Sequence, residues 1–226
     1  MKVLLLGATG LTGNHCLQGL LATPEVERVY TLTRRPLAQT HPKLTAAEAD
    51  FEHLEASAHF FEVDVIVCCL GSTIRQAGSR ERFYRIDHDY CLEAARIGKA
   101  RGAKAFLLMS AVGASPSSTV FYNRVKGELE RDIIALHYPL LSIYHPGLLL
   151  GHRQEHRLGE AALSRVMPLL NRGLIGPLSR YRGVEADMVA HAMVNEVREL
   201  SLPELTGPRV EERHYEDIVA LAVAST

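Results

Sequence analysis

The chain has 226 residues, a formal charge of −1 and 47% hydrophobic residues, which suits one globular domain with a sizeable core. Near-neutrality argues against nucleic acid as the main partner, since that needs a basic face, and no apolar run approaches the roughly 20 residues of a membrane-spanning helix. Cys16, Cys68, Cys69 and Cys91 match no zinc spacing, and Cys68 and Cys69, adjacent in an apolar strand, are expected to be reduced.

In chain order, Val3–Leu6 is an apolar run that predicts a first strand, with a helix over Leu11–Ala22. The fold is expected to start at Lys2, leaving no room for a secretory leader, and a cytoplasmic location is expected by default. Val29–Thr33 predicts a second strand, ending in Arg34, Arg35 and Pro36. A weak strand is expected near Leu44–Ala47 and a short helix over Phe51–Phe60. Val63–Leu70 is a nearly unbroken apolar run, as in a strand buried on both faces. One long helix is expected from Ser79 to Arg101, then a strand at Ala105–Met109. A helix over about Val120–His137 precedes a strand at Leu140–Tyr144. The stretch 148–182 is rich in Arg, Gly and Pro, with one amphipathic piece near Gly159–Leu170. It reads as a small C-terminal, substrate-side excursion over the sheet. Helices over Val184–Leu200 and Tyr215–Ala224 close the chain. The βαβα order predicts an α/β fold: a Rossmann-type doubly wound parallel sheet with helices on both faces.

The opening GATGLTG segment joins the first strand to the first helix. Gly7 suits a sharp turn, Gly10 a close approach of backbone to phosphate, and Gly13 close packing of the helix on the sheet. The helix N-terminus then faces negative charge. Gly7, Thr9, Gly10, Leu11, Thr12 and Gly13 are therefore candidate dinucleotide contacts, against the alternative of a tight turn that binds nothing. The spacing is GxxGxxG, not the GxGxxG of the commonest fingerprint.

The acid that would bond an adenosine ribose at the end of strand two is absent; Arg34 and Arg35 stand there. A guanidinium binds a 2′-phosphate that a carboxylate would repel. NADP(H) is thus preferred over NAD(H), with solvated loop arginines as the alternative. Asp50 and Phe51 are placed to flank the adenine. Leu70 and Gly71 end the fourth strand, where the cofactor's middle could pass close to the backbone; an ordinary strand-ending turn reads the same way.

Ser110, Tyr122 and Lys126 supply chemistry. Tyr122 and Lys126 are four apart on a predicted helix and share a face. A nearby ammonium favours the phenolate of a tyrosine whose free pKa is about 10, so Tyr122 could exchange a proton with a substrate alcohol or carbonyl. Ser110 lies just past the fifth strand, at the carboxyl edge where such sheets bind ligands. Alone, a Tyr/Lys pair at this spacing is an ordinary helix-surface pair; its position in the chain gives it force. His145, His152 and His156 cluster later, with Glu155 and Glu160 near, but form no evident metal set. Arg153, Arg157, Arg165 and Arg172 in the same region read as substrate-attracting or as solvated.

GATGLTG, Ser110 with YNRVK, and HPGLLLG together resemble the short-chain dehydrogenase/reductase superfamily, atypical branch. CCLGSTIRQAGS, YRIDHDY and KGELER are most similar to the Tat-interactive-protein-like oxidoreductases, close to NmrA-like NAD(P)-binding proteins. The resemblance covers nearly the whole chain. It implies NADP(H) binding with Ser110, Tyr122 and Lys126 as the catalytic set, acting on a small carbonyl or alcohol. Asp87 falls where many superfamily members carry a proton-relay asparagine, and Cys69-Leu70-Gly71 replaces a familiar Asn-Ala-Gly run. Some members bind cofactor to regulate partners, so a sensor or scaffold that is read by a protein partner is the rival expectation.

Overall fold

The computed structural model describes residues 1–151 and 176–224. The element order is β1 (Lys2–Leu6), α1 (Leu11–Ala22), β2 (Arg28–Thr33), β3 (Leu44–Glu48), a 3₁₀ segment (Phe51–Phe61) and β4 (Val65–Cys68). There follow α2 (Ile74–Ala77), α3 (Arg80–Tyr84), a π-helical turn (Arg85–Asp89), α4 (Tyr90–Ala100), β5 (Ala105–Met109), α5 (Phe121–Ile134) and β6 (Leu140–Tyr144). The short strands β7 (Leu149–Leu150) and β8 (Val184–Glu185) pair with each other, and α6 (Ala186–Glu199), β9 (Val210–Arg213) and α7 (Tyr215–Val223) complete the chain. The amphipathic piece expected at Gly159–Leu170 lies outside the described residues.

Seven strands form one sheet in the order β3-β2-β1-β4-β5-β6-β9, and every pairing is parallel. The expected doubly wound sheet is present, with its order reversing between β1 and β4. Alternation along each strand separates two cores. Val3, Leu5, Val65 and Val67 pack with Leu17, Leu20, Val189 and Met193, under α1 and α6. Leu4, Leu6, Ile66 and Cys68 face the other way, onto Phe61, Ala94, Ala95 and Leu129 from the 3₁₀ segment, α4 and α5.

The long helix expected from Ser79 to Arg101 is present: Ser79 caps it, and helical backbone runs through α3, a π turn at Arg85–Asp89 and α4; the π turn was not expected. The extra residue in that turn swings Asp87 and His88 into the interior, and such bulges gather at functional sites. The helix at Phe51–Phe60 is 3₁₀, kinked at His53 and Ser57. β9 was not anticipated, because VEER is an edge strand without an apolar run.

β9 is tied down from below. Glu196 of α6 is 6% exposed. It accepts hydrogen bonds from Ser142 Oγ at 2.9 Å, Tyr144 OH, and Arg213 Nη2 at 2.8 Å. Burial and the Glu196 charge push the Tyr144 phenol well up, so it stays a donor. Glu196→Ala leaves three polar groups without their acceptor and is expected to lower unfolding free energy by about 3 kcal/mol. Urea denaturation checks this; an unchanged midpoint would show that the network is energetically idle.

Candidate active site

The glycine turn is fitted at two of its three positions. Gly7 has a φ of +83°, and a Cβ there would sit 2.5 Å from Cys69 O, so β1 can turn against β4 only without a side chain. A Cβ on Gly13 would lie 2.1 Å from Gly7 O; this glycine packs the helix onto the turn itself. Gly10 differs, since a Cβ there meets only Gly7 O, at 3.2 Å.

Among the described residues no side chain caps α1, and its first turn holds no acid. Its opening N–H groups have no intrahelical acceptor. Thr12 Oγ1 is buried there without a hydrogen-bond partner among the described residues. An uncapped N-terminus, an orphaned hydroxyl and a glycine-lined mouth fit a pyrophosphate.

At one flank, Arg34, Asp50 and Phe51 line a single cavity of about 550 Å³, joined by Glu52, Arg82, Arg85 and Tyr90. Asp50 accepts from Glu52 N at 2.9 Å and pairs with His53 at 2.8 Å; the His53 hydrogen bond and then the Glu52 amide hold its carboxyl below the usual range. Phe51 is buried, with its ring 5.7 Å from Tyr90. Arg35 is exposed and does not line this cavity.

At the centre, Gly71 overlies an ion pair. Lys126 Nζ is 3.0 Å from Asp87 Oδ1, with side chains 4% and 1% exposed, and a Cβ on Gly71 would lie 3.2 Å from Asp87 Oδ1 and 3.7 Å from Lys126 Nζ. Asp87 Oδ2 accepts from Ser72 N at 2.8 Å and Ser72 Oγ at 2.9 Å. Burial works against the Lys126 charge, yet Asp87 and then Tyr122 outweigh it, and the lysine pKa rises. Lys126 is therefore a fixed ammonium beside Tyr122. Tyr122 is half-buried one turn earlier on α5, its ring 5.6 Å from the fully buried Phe83.

Ser110 is buried just past β5, and its Oγ donates to Glu130 Oε1. The same oxygen bonds His145 Nε2 at 2.9 Å. Among the described residues no hydrogen bond joins Ser110 to Tyr122. The structure thus brings Tyr122, Lys126, Asp87 and Gly71 together, and sets Ser110 in a second cluster with Glu130 and His145. Glu130 was missed, although Tyr122, Lys126 and Glu130 recur every four residues on α5. His145 also meets Glu212 and His214, with donor atoms all within 4.8 Å; only β6–β9 pairing could reveal that. His152, His156, Arg153, Arg157, Arg165 and Arg172 lie outside the described residues.

A family model described as NAD(P)H-binding matches residues 7–138, from the first glycine through α5. The chain belongs to the NAD(P)H-binding family. It is 41% identical over 163 residues to Protein HTATIP2 of Rattus norvegicus, covering 70% of this chain and 67% of that protein. With "Protein fmp52, mitochondrial" of Aspergillus fumigatus it shares 35% identity over 201 residues, 86% of each. Among solved structures, UDP-glucose 4-epimerase from Thermotoga maritima superposes with a TM-score of 0.67 at 15% identity, over 96% of this chain and 88% of that one. The oxidoreductase ylbE from Lactococcus lactis gives 0.55 at 19%, over 68% and 72%. These two likenesses show the fold alone; the HTATIP2 relative accords with the resemblance drawn from the motifs. The family is thus NAD(P)H-binding, and its fold here is Rossmann-type. The default cytoplasmic location is corrected: fungal relatives that match over most of their length carry "mitochondrial" in their names. Among the described residues no helix is long and apolar enough to cross a membrane.

Proposed function

We propose that this chain is an NADP(H)-dependent oxidoreductase of the atypical short-chain dehydrogenase/reductase type, acting on a small carbonyl or alcohol. The observation that carries the reading is the Tyr122–Lys126–Asp87 set beside Gly71, at the carboxyl edge of the sheet near the switch between β1 and β4. Gly7, Thr9, Gly10, Leu11, Thr12 and Gly13 would hold the pyrophosphate, and Leu70 and Gly71 its middle. Arg34 and Arg35 would favour the 2′-phosphate, with Asp50 and Phe51 near the adenine. When bound, the nicotinamide supplies the hydride. Tyr122 gives or takes the proton at the substrate oxygen. Lys126, held charged by Asp87, stabilises the negative charge that develops on the Tyr122 oxygen as the proton moves. Ser110 orients the substrate oxygen, with Glu130 fixing the direction of its hydroxyl. The chain would serve as one Rossmann-type domain; most of the stretch 148–182 lies outside the described residues.

Tyr122→Phe is expected to lower the rate of NADPH-linked turnover by about 100-fold or more, while NADPH affinity measured by calorimetry stays within about twofold. Equal loss of binding and rate would remove Tyr122 from the chemistry. The rival reading is a cofactor-bound sensor that a protein partner reads. It is favoured by Asp87 and Glu130, which already engage Lys126 and Ser110 within the chain. NADPH binding without oxidation across a broad panel of carbonyl compounds selects the sensor. No heat with any pyridine nucleotide overturns both.

A further inference from the structure

Resting on the NADP(H) reading, we propose that Arg82 of α3 is a specificity residue, clamping the 2′-phosphate of the cofactor together with Arg34. The two come from segments far apart in sequence, yet both line the 550 Å³ cavity that also holds Phe51 and Tyr90. The acids of that cavity are already engaged. Asp50 accepts from Glu52 N and pairs with His53. Glu52 Oε1 takes Tyr90 OH at 2.5 Å and Arg85 Nη1 at 3.2 Å, which neutralises Arg85.

Among the described residues, neither Arg34 nor Arg82 forms an ion pair. Two uncompensated guanidinium groups therefore face one cavity, and a phosphate monoester carrying close to two negative charges matches them in sign and number. Arg82 is also well seated. Its backbone N–H donates to Ser79 Oγ at 3.1 Å, and its neighbour Phe83 is fully buried, so α3 presents the side chain from a fixed stem. Arg82 also lines a cavity of about 680 Å³ with Arg80, Arg124 and Phe121, so it borders both.

The test is calorimetric titration of wild type, Arg82→Ala and Arg82→Lys with NADPH, NADH, adenosine 2′,5′-bisphosphate and inorganic phosphate. Wild type is expected to prefer NADPH. Arg82→Ala should lose about tenfold for NADPH and for the bisphosphate with NADH unchanged, and Arg82→Lys should fall between. Loss shared equally by NADPH and NADH, or no loss at all, overturns the role of Arg82 and leaves the cofactor preference standing, because wild type still discriminates. A wild type without preference ends the NADP(H) reading, and this inference with it. Inorganic phosphate binding as tightly as the bisphosphate would make the pocket a general anion site and overturn the proposal. Arg82 is exposed on a helix, so an unchanged melting temperature confirms that each variant folds.

Discussion

Gly10→Ala is expected to weaken dinucleotide binding severely in a chain that still folds. Its φ of −77° and ψ of 170° are open to alanine, and the added Cβ meets only Gly7 O at 3.2 Å. The folding penalty is about 1 kcal/mol, that of alanine for glycine at a helix N-cap. The methyl otherwise enters open space at the mouth of the turn, where phosphate oxygens must come within hydrogen-bond distance of the first N–H groups. A loss of about 100-fold in NADPH affinity, or about 2.8 kcal/mol, is expected by calorimetry. The melting temperature without nucleotide should fall by only a few degrees. Gly13→Ala should behave in the opposite way. Its Cβ would lie 2.1 Å from Gly7 O and 2.8 Å from Gly7 C, so backbone must move, and the nucleotide-free protein loses about 3 kcal/mol. A Gly10→Ala chain that binds NADPH like wild type would take the pyrophosphate away from this turn.

Asp87→Ala is expected to destabilise the protein by about 3–5 kcal/mol, because it strands the Lys126 ammonium in the interior and removes the acceptor of Ser72. Against a total stability of roughly 5–15 kcal/mol, that loss is visible in any urea melt. The sign with pH follows from the raised Lys126 pKa. The lysine's contribution is complete at neutral pH and is lost only as pH climbs above the ordinary lysine range. The double variant Asp87→Leu with Lys126→Met should recover most of the stability, since an apolar pair of similar volume replaces a buried ion pair with little penalty. Turnover should not return with it, because Tyr122 then lacks its cation. Recovered turnover in the double variant would show that Lys126 serves only the fold.

The glycine turn and the Tyr122–Lys126 pair were legible because each is local: strand, turn and helix start within thirteen residues, and two side chains one helical turn apart. The partner of Lys126 was only half legible. Asp87 was placed by resemblance, but a plain helix over Ser79–Arg101 does not say that it turns inward. The π turn decides that, by inserting one residue whose placement follows from packing against α5 rather than from propensity. Ser110 was placed at the correct sheet edge, yet its hydrogen-bond partner Glu130 sits on α5 and meets it only after β5 and α5 pack.

By itself the sequence determined the elements and their alternation, and hence the parallel sheet, because apolar period and glycine placement act over a few residues. It also determined which groups stand where: three glycines at the opening turn, a phenol one helical turn from an ammonium, and arginines at the end of the second strand. Tertiary structure alone decided which charges remain uncompensated. Arg82 lines one cavity with Arg34 from far along the chain, Asp87 locks Lys126, Glu196 gathers Ser142, Tyr144 and Arg213, and β9 finds its edge against β6. Each is a long-range pairing of polar groups, whose energy depends on burial and distance and so has no signature in local spacing.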